Sequence, residues 1–333
     1  MAGKFSKAEM ARKYRDEHGM EMPTKKLARI MYKDNFLLFK DAEDARCTLR
    51  RIEGKNGNSY NGNTKATHKH PERPKNPYVM PEPASEDLEP YKLPLSWNDF
   101  IFASDFHIPN HRKEPIEAMI RYANENGIRK IILGGDILDN TPFTRWMREP
   151  LKTGEVKMWF DMTIEFLKFI KSHFDEVIWI EGNHDFWYKR YLMQKAEELF
   201  GDSYYDLESR LKLNELGIKF IPQNYLVKAG KLNIHHGHIT FRGGGSYANA
   251  ARMLYMKTKS NMICGHVHVE SSHTEPDIND EICTTFTVGC MSTLRPEYQP
   301  FGGKSCHGFA RIKVKPDRNF NVFNFRIYKG QIM

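Results

Sequence analysis

The 333-residue sequence predicts an α/β protein whose sheets carry helices on their outer faces, preceded by a small helical unit. Two observations carry this prediction. From Asp99 onward short apolar runs alternate with amphipathic stretches, and after Gly217 they give way to a succession of strands. Before Lys55 the pattern is different, with helix caps and helical spacing but no strand-like run.

Taken in order, Ser6 with Glu9 three residues on is a capping box, and the helix it opens stops near Gly19. Pro23-Thr24 begins a second helix with Leu27, Ile30 and Met31 on one face. Asp41 caps a third, which turns Ala45, Leu49 and Ile52 inward before Gly54 ends it. These make a basic three-helix unit over residues 1–54. With Arg46, Arg50 and Arg51 on the last helix it has the make-up of a helix-turn-helix reader. The connection between the second and third helices is long for that motif, and a packing or oligomerisation role fits equally. Residues 55–96 change to Asn, Gly and Pro, with Asn56-Gly57, Asn61-Gly62 and seven prolines from Pro71 to Pro94, which marks a linker.

Residues 97–333 form the main domain. Strands are expected near 99–104, 130–134, 176–181, 218–221, 231–235, 261–264, 284–288, 308–314 and 319–328. Helices are expected near 115–126, 155–172 and 188–199, the second carrying Phe160, Ile164, Leu167 and Ile170 at helical spacing.

Bulk properties narrow the class. An apolar content of 40% supports a sizeable core, yet no run of 18 apolar residues occurs, so no membrane-spanning helix is expected. The charged first 15 residues lack the apolar core of a secretory signal. Five cysteines, odd in number and without a CxxC pair, point to reduced thiols in a cytoplasm. The net charge of +8 is concentrated: residues 1–80 hold 18 Lys and Arg against 10 Asp and Glu, whereas the remainder holds 32 of each. Such asymmetry predicts an anionic partner for the N-terminal region, nucleic acid first among them.

Five polar motifs end or follow the predicted strands: Asp105-Phe106-His107, Gly135-Asp136-Ile137-Leu138-Asp139, Gly182-Asn183-His184-Asp185, His236-Gly237-His238 and Gly265-His266-Val267-His268. Side chains at the carboxyl ends of adjacent strands converge on one rim. Two divalent metals need oxygen and imidazole ligands and one carboxylate placed to bridge. Asp105 and His107, one residue apart at a strand end, point the same way, and His266 and His268 repeat that geometry. Asp136 is the natural bridge, Asn183 offers an amide oxygen, and His236 completes the count. Each motif alone is a weak signal; all five in this order are a strong one.

On these motifs the chain resembles the calcineurin-like metallophosphoesterases over about residues 97–315. The resemblance implies a four-layer αββα sandwich with two metals at the upper edge of its sheets. It implies that Asp105, His107 and His268 hold one ion, that Asn183, His236 and His266 hold the other, and that Asp136 bridges. Mn²⁺ is the first expectation, with Fe, Zn and Ni also suited to these ligands. His184 would protonate the leaving oxygen, Asp139 would orient and charge-stabilise it, and a hydroxide bridging the metals would attack phosphorus.

The chain departs from the family at one informative place. Many phosphomonoesterases of the family have an Arg after the second Asp of the GDxxD motif, and this chain has Asn140. A dianionic monoester loses more by that change than a singly charged diester. The first expectation is therefore a phosphodiesterase or nuclease acting on nucleic acid. The alternatives are a phosphomonoesterase acting on a phosphoprotein or small nucleotide, and a nucleic-acid-binding protein with a structural metal site. Asn140, Arg242 and His238 are candidate substrate contacts; Arg242 opens the run Gly243-Gly244-Gly245-Ser246, and Trp146 and Trp187 are open as base-stacking residues.

Overall fold

The computed structural model describes residues 5–55, 67–68, 87–145, 155–241, 249–296 and 303–333. The chain divides into two units, Met1–Ser85 and Glu86–Met333.

The first unit contains α1 (Lys7–His18), α2 (Thr24–Asp34) and α3 (Ala42–Ile52). The capping box forms: Ser6 N donates to Glu9 Oε2 at 2.7 Å, and Glu9 N to Ser6 Oγ at 3.3 Å. Asp41 Oδ1 caps α3 by accepting from Asp44 N at 2.7 Å. The inward face of α2 is Leu27, Ala28 and Met31, which pack with Ala11, Phe39, Ala45, Leu49 and Ile52, while Ile30 is only half-buried. The small Ala28 lets α2 approach its neighbours on a face one residue round from the expected one.

Beside this core lies an ion pair, Arg15–Glu53, with both side chains fully excluded from solvent. Arg15 also donates to Gly19 O (3.0 Å), Met22 O (2.7 Å) and Thr24 Oγ1 (3.2 Å), and Thr24 Oγ1 donates to Glu53 Oε2 (2.9 Å). Burial alone raises the Glu53 carboxyl, but the bonds from Arg15 and Thr24 and the guanidinium charge outweigh it and hold the pKa below the usual range. Arg15→Met removes the guanidinium and its hydrogen bond from that buried carboxylate and leaves Lys55, with Nζ 3.4 Å from Glu53 Oε2, as a cation beside it, at a cost of about 3 kcal/mol. A unit of this size has only about that much stability in total. The expected outcome is loss of protection from proteolysis within residues 5–55 at neutral pH; an unchanged cleavage pattern contradicts it. A depressed carboxylate pKa stabilises above the unfolded value, so this contribution is lost as pH falls through the carboxylate range.

The second unit begins its strands with β1 (Tyr91–Lys92), β2 (Asp99–Ala103), β3 (Lys130–Leu133), β4 (Glu176–Ile180), β5 (Ile218–Ile221), β6 (Val227–Ala229) and β7 (Leu232–His235). They continue as β8 (Met262–Cys264), β9 (Ser271–Pro276), β10 (Ile282–Thr287), β11 (His307–Val314), β12 (Phe320–Tyr328) and β13 (Gln331–Ile332). Its helices are α4 (Lys113–Glu125), α5 (Glu155–His173), α6 (Asn183–Lys195), α7 (Leu207–Arg210) and α8 (Ala250–Thr258). One sheet runs β13-β12-β11-β2-β3-β4-β5 and the other β1-β6-β7-β8-β10-β9. Both are mixed: β2 to β5 are parallel, as are β7, β8 and β10 and the outer pair β1 and β6, while β6–β7, β9–β10, β2–β11, β11–β12 and β12–β13 pair antiparallel.

Period-two alternation sorts the strand residues between layers. On β2, β3 and β4, Phe100, Phe102, Ile132, Ile178 and Ile180 face the other sheet, where they meet Val227, Leu232, Ile234 and Ile263. Ile101, Ala103, Ile131, Leu133, Val177 and Trp179 face the opposite way, onto Met119, Phe166, Leu167 and Ile170 of α4 and α5. On the far side α8 lays Ala250 and Leu254 over Met262 and Cys264. The result is helix, sheet, sheet, helix, the predicted α/β sandwich. Both faces of the parallel strands are buried, which is why they read as unbroken apolar runs.

Two elements differ from expectation in ways that bear on the site. Helix α8 is not among the expected helices; it follows a glycine run, and its signal is Asn249, whose side chain accepts from Arg252 N at 3.0 Å. Helix α6 begins five residues earlier than expected, at Asn183, because Asp185 reaches back to the Gly182 amide (2.9 Å) and closes the first turn. All five cysteines are unpaired, and no described helix is long and apolar enough to cross a membrane.

Candidate metal centre

Five strands end at the same rim: β2 at Ala103, β3 at Leu133, β4 at Ile180, β7 at His235 and β8 at Cys264. The motif residues lie just beyond those ends. Asp105 (φ 60°), His107 (48°), Asp136 (52°), His266 (67°) and His268 (56°) all have left-handed backbones. A strand pleat was the expected reason for Asp105 and His107 to point one way, but β2 stops at Ala103 and the alternating left-handed turns do it instead. Such conformations cost about 1–3 kcal/mol each and persist only where the surroundings enforce them. Here the loops brace one another: Asp105 N donates to Gly135 O (3.0 Å), His107 N to Asp136 O (2.9 Å) and Met291 N to Asp105 O (3.1 Å). Two glycines permit the closest approaches. A Cβ on Gly182 would collide with the carboxylate and amide of Asp136, and one on Gly265 with Ser104 Oγ and Asp105 Oδ2.

The loops gather three groups with ligand atoms close enough to share an ion: Asp105/His107/His268, Asp136/His236/His266 and, around His184, His107/Asp139/His184; the first two are made of the predicted metal ligands. In the first, Asp105 Oδ1 lies 3.2 Å from His268 Nε2 and 3.9 Å from His107 Nε2, and the two imidazole nitrogens are 3.3 Å apart. In the second, His236 Nε2 lies 3.1 Å from Asp136 Oδ2. That same Asp136 oxygen is 3.9 Å from His107 Nε2, so one carboxylate faces both clusters.

The donor set fits divalent cations by an internal test. Buried polar atoms ordinarily have partners, yet Asp105 Oδ1, Asn183 Oδ1 and His236 Nε2 are buried with no hydrogen bond among the described residues. Asp105 and His236 belong to the two clusters, and Asn183 opens α6 directly after the Gly182 turn, where cations would satisfy them. The far ring nitrogens are held: His236 Nδ1 bonds Gly134 O at 2.9 Å and His107 Nδ1 bonds Asp139 Oδ1 at 3.2 Å. Nδ1–H in those bonds leaves Nε2 as the ligand atom in each case. Without metal, protons on histidine balance the carboxylates. Burial lowers His236, but Asp136 and then Asp105 outweigh it and push it up to about 9. Asp105 and Asp136, raised by burial, are held well below the usual range by the neighbouring imidazoles. His266, pushed down to about 3 by burial and the His236 charge, stays neutral.

His184 sits on the first turn of α6 beside both clusters. Its Nδ1 bonds the backbone oxygen of Asp139 at 2.6 Å, nearer than the Asp139 carboxylate at 3.5 Å, so the main chain orients the ring. The carboxylate is shared with His107, and Thr141 Oγ1 and Asn110 Nδ2 (3.3 Å) hold it. His184 Nε2 faces the site, 4.0 Å from Asp136 Oδ2. Burial disfavours charge on His184, but the carboxylates of Asp136 and Asp139 outweigh it and its pKa is raised. Trp187, open as a base-stacking residue from sequence, stacks on His184 with ring centres 3.8 Å apart.

The candidate substrate residues are placed unequally. Asn140 is 1% exposed, and its amide donates to His184 O at 3.0 Å, so it ties motif to motif and does not face a ligand. His238 lies beside the second cluster, 5.4 Å from the His236 ring centre, with Nε2 bonded to Gln223 Oε1 at 2.7 Å. Arg242, the run 243–246 and Trp146 lie outside the described residues.

Asp185 was not singled out in the sequence, although an acid three residues after a helix-opening glycine is a capping signal. Fully buried, it accepts from Ile137 N, Leu138 N, Trp179 Nε1 and Gly182 N at 2.9–3.0 Å, clamping the Asp136 loop to the Asn183 turn. Asp185→Asn keeps the shape but turns an NH₂ toward two of those donors. The expected cost is about 3 kcal/mol, or a melting temperature lower by roughly 10 °C for a domain this size, with weaker metal binding. Unchanged melting contradicts the clamp.

Residues 99–270 match the family model for calcineurin-like phosphoesterase, just over half of the chain and a span that contains all five motifs. The chain belongs to the calcineurin-like phosphoesterase family: it is a metal-dependent phosphoesterase whose His/Asp clusters are consistent with a binuclear metal site. It is similar to Gene 54 protein of Mycobacterium phage L5, 25% identical over 177 residues, 50% of this chain and 68% of that protein. Similar solved structures include YfcE, a phosphoesterase from E. coli, at 15% identity and TM-score 0.34, covering 68% of this chain and 98% of that one. Others are a dimetal phosphatase from Danio rerio (10%, TM-score 0.34, 68% and 95%) and Vps29 from Entamoeba histolytica (14%, TM-score 0.38, 71% and 96%).

Proposed function

We propose that the protein is a two-metal phosphodiesterase acting on nucleic acid, with the basic N-terminal region as an attachment surface. The observation that carries this reading is Asn140. The position after Asp139 holds a neutral amide, buried and bonded to His184 O, so no cation reaches a substrate from there. A diester, with one charge, tolerates that better than a dianionic monoester. The concentration of basic residues before residue 80 supports a polyanionic substrate.

Asp105, His107 and His268 would hold one ion, and Asn183, His236 and His266 the other, with Asp136 between them. Bound metals supply positive charge to the phosphoryl oxygens and lower the pKa of water. The chain supplies the rest. His184 holds a proton at Nε2 for the departing oxygen, while Nδ1–H stays on Asp139 O and fixes the tautomer. Stacking on Trp187 keeps the ring in plane, and the carboxylates of Asp136 and Asp139 favour the protonated form.

The test is Mn²⁺-dependent hydrolysis of end-labelled DNA and RNA strands, alongside an aryl diester and an aryl monoester. Strand cleavage and a diester kcat/KM above that of the monoester are expected. Faster monoester turnover with intact strands overturns the reading in favour of a phosphomonoesterase. A chain beginning at Glu86 that cleaves strands as well as the full protein removes the N-terminal region from substrate binding.

A further inference from the structure

A cavity of about 630 Å³ is lined by His111, Arg112, Lys113, Thr293, Arg295 and His307. Its walls are continuations of the site's own loops. His111 follows His107 by four residues, a reach of at most about 14 Å. Asn110 donates to the Asp139 carboxylate at 3.3 Å. On the other wall Met291 N bonds Asp105 O at 3.1 Å, and Arg112 N bonds Met291 O at 2.8 Å. Thr293 N closes the ring of contacts on Asn110 O at 2.9 Å, and Arg112 Nη2 donates to Thr293 Oγ1 at 2.9 Å.

Three permanent cations, Arg112, Lys113 and Arg295, face one acid on this lining, Glu114. Residues 81–333 as a whole carry equal numbers of each sign, so this excess is local. The volume exceeds what a lone phosphate fills and lies within the usual range for an organic ligand. A nucleotide, with an anionic group and a flat base, matches both the size and the charge.

We propose that this cavity is a specificity subsite that holds a neighbouring nucleotide of the strand being cut, with Arg112, Lys113 and Arg295 on its phosphate. This rests on the phosphodiesterase reading above and adds to it. The active centre then acts best on a substrate with at least one further phosphate next to the scissile one, and binding of that phosphate releases counterions. A small aryl diester, which has one phosphate, reaches the metals but not the subsite.

The experiment compares the metal-loaded full-length protein with Arg112→Gln/Lys113→Gln/Arg295→Gln on a single-stranded oligonucleotide and an aryl diester. All three residues are exposed, and the bond lost with them is that from Arg112 Nη2 to Thr293 Oγ1, so an unchanged melting temperature is checked beside the rates. The oligonucleotide-to-aryl ratio of kcat/KM is expected to fall about tenfold or more, and the slope of log kcat/KM against log salt to flatten by about 0.7 per cation removed. An unchanged ratio, whether both rates hold or both fall together, overturns the subsite while leaving the phosphodiesterase reading intact. Wild-type protein that hydrolyses the aryl diester and leaves every oligonucleotide whole overturns that reading, and the subsite with it.

Discussion

Asp136→Asn is expected to lower kcat/KM by about 10³-fold or more and to leave the protein unable to hold both ions at once. One oxygen of this side chain faces both clusters, 3.1 Å from His236 Nε2 and 3.9 Å from His107 Nε2, and the other accepts from His184 N at 2.8 Å. An amide of the same size keeps the shape but removes the negative charge between two cations. Metal-derived charge stabilisation is worth several kcal/mol, and about 4 kcal/mol is a thousandfold in rate. Metal content after desalting, measured beside turnover, separates a lost ion from a misfolded chain. Two ions retained with full activity contradict the placement of Asp136 between the sites.

His184→Ala is expected to lower kcat by about 10²–10⁴-fold on a substrate whose leaving group is an alkoxide. The loss is much smaller on an aryl ester, whose phenolate departs without a proton. This pattern distinguishes proton donation from positioning, since a residue that merely shaped the site affects both substrates equally. The geometry behind it is the Nδ1 bond to Asp139 O and the Nε2 edge turned toward Asp136, 4.0 Å from its Oδ2. Equal losses on both substrates, or none, contradict the donor role. Asp139→Asn is milder by the same geometry, because the main-chain oxygen that orients the ring remains.

The main strands were legible because both their faces are buried. Ile131-Ile132-Leu133 and Val177-Ile178-Trp179-Ile180 are continuous apolar runs, and each precedes a motif. The edge strands β1 and β13, two residues each, have no such signature, and the exposed alternation of β9 carries Ser, His, Thr and Glu. The ligand types were legible from the motif order. Their geometry was not, because it depends on left-handed turns at Asp105, His107, Asp136, His266 and His268, positions where sequence favours glycine and the fold imposes the conformation. Asp185 and Asn140 were misweighted for one reason: side chains that bond the backbone of a distant loop are invisible until that loop is placed.

The most direct measurement is anomalous diffraction from crystals of the full-length protein soaked in Mn²⁺. Two peaks are expected, one among Asp105, His107 and His268 and one among Asn183, His236 and His266, with the Asp136 carboxylate touching both. A single peak, or peaks away from these seven side chains, contradicts this expectation.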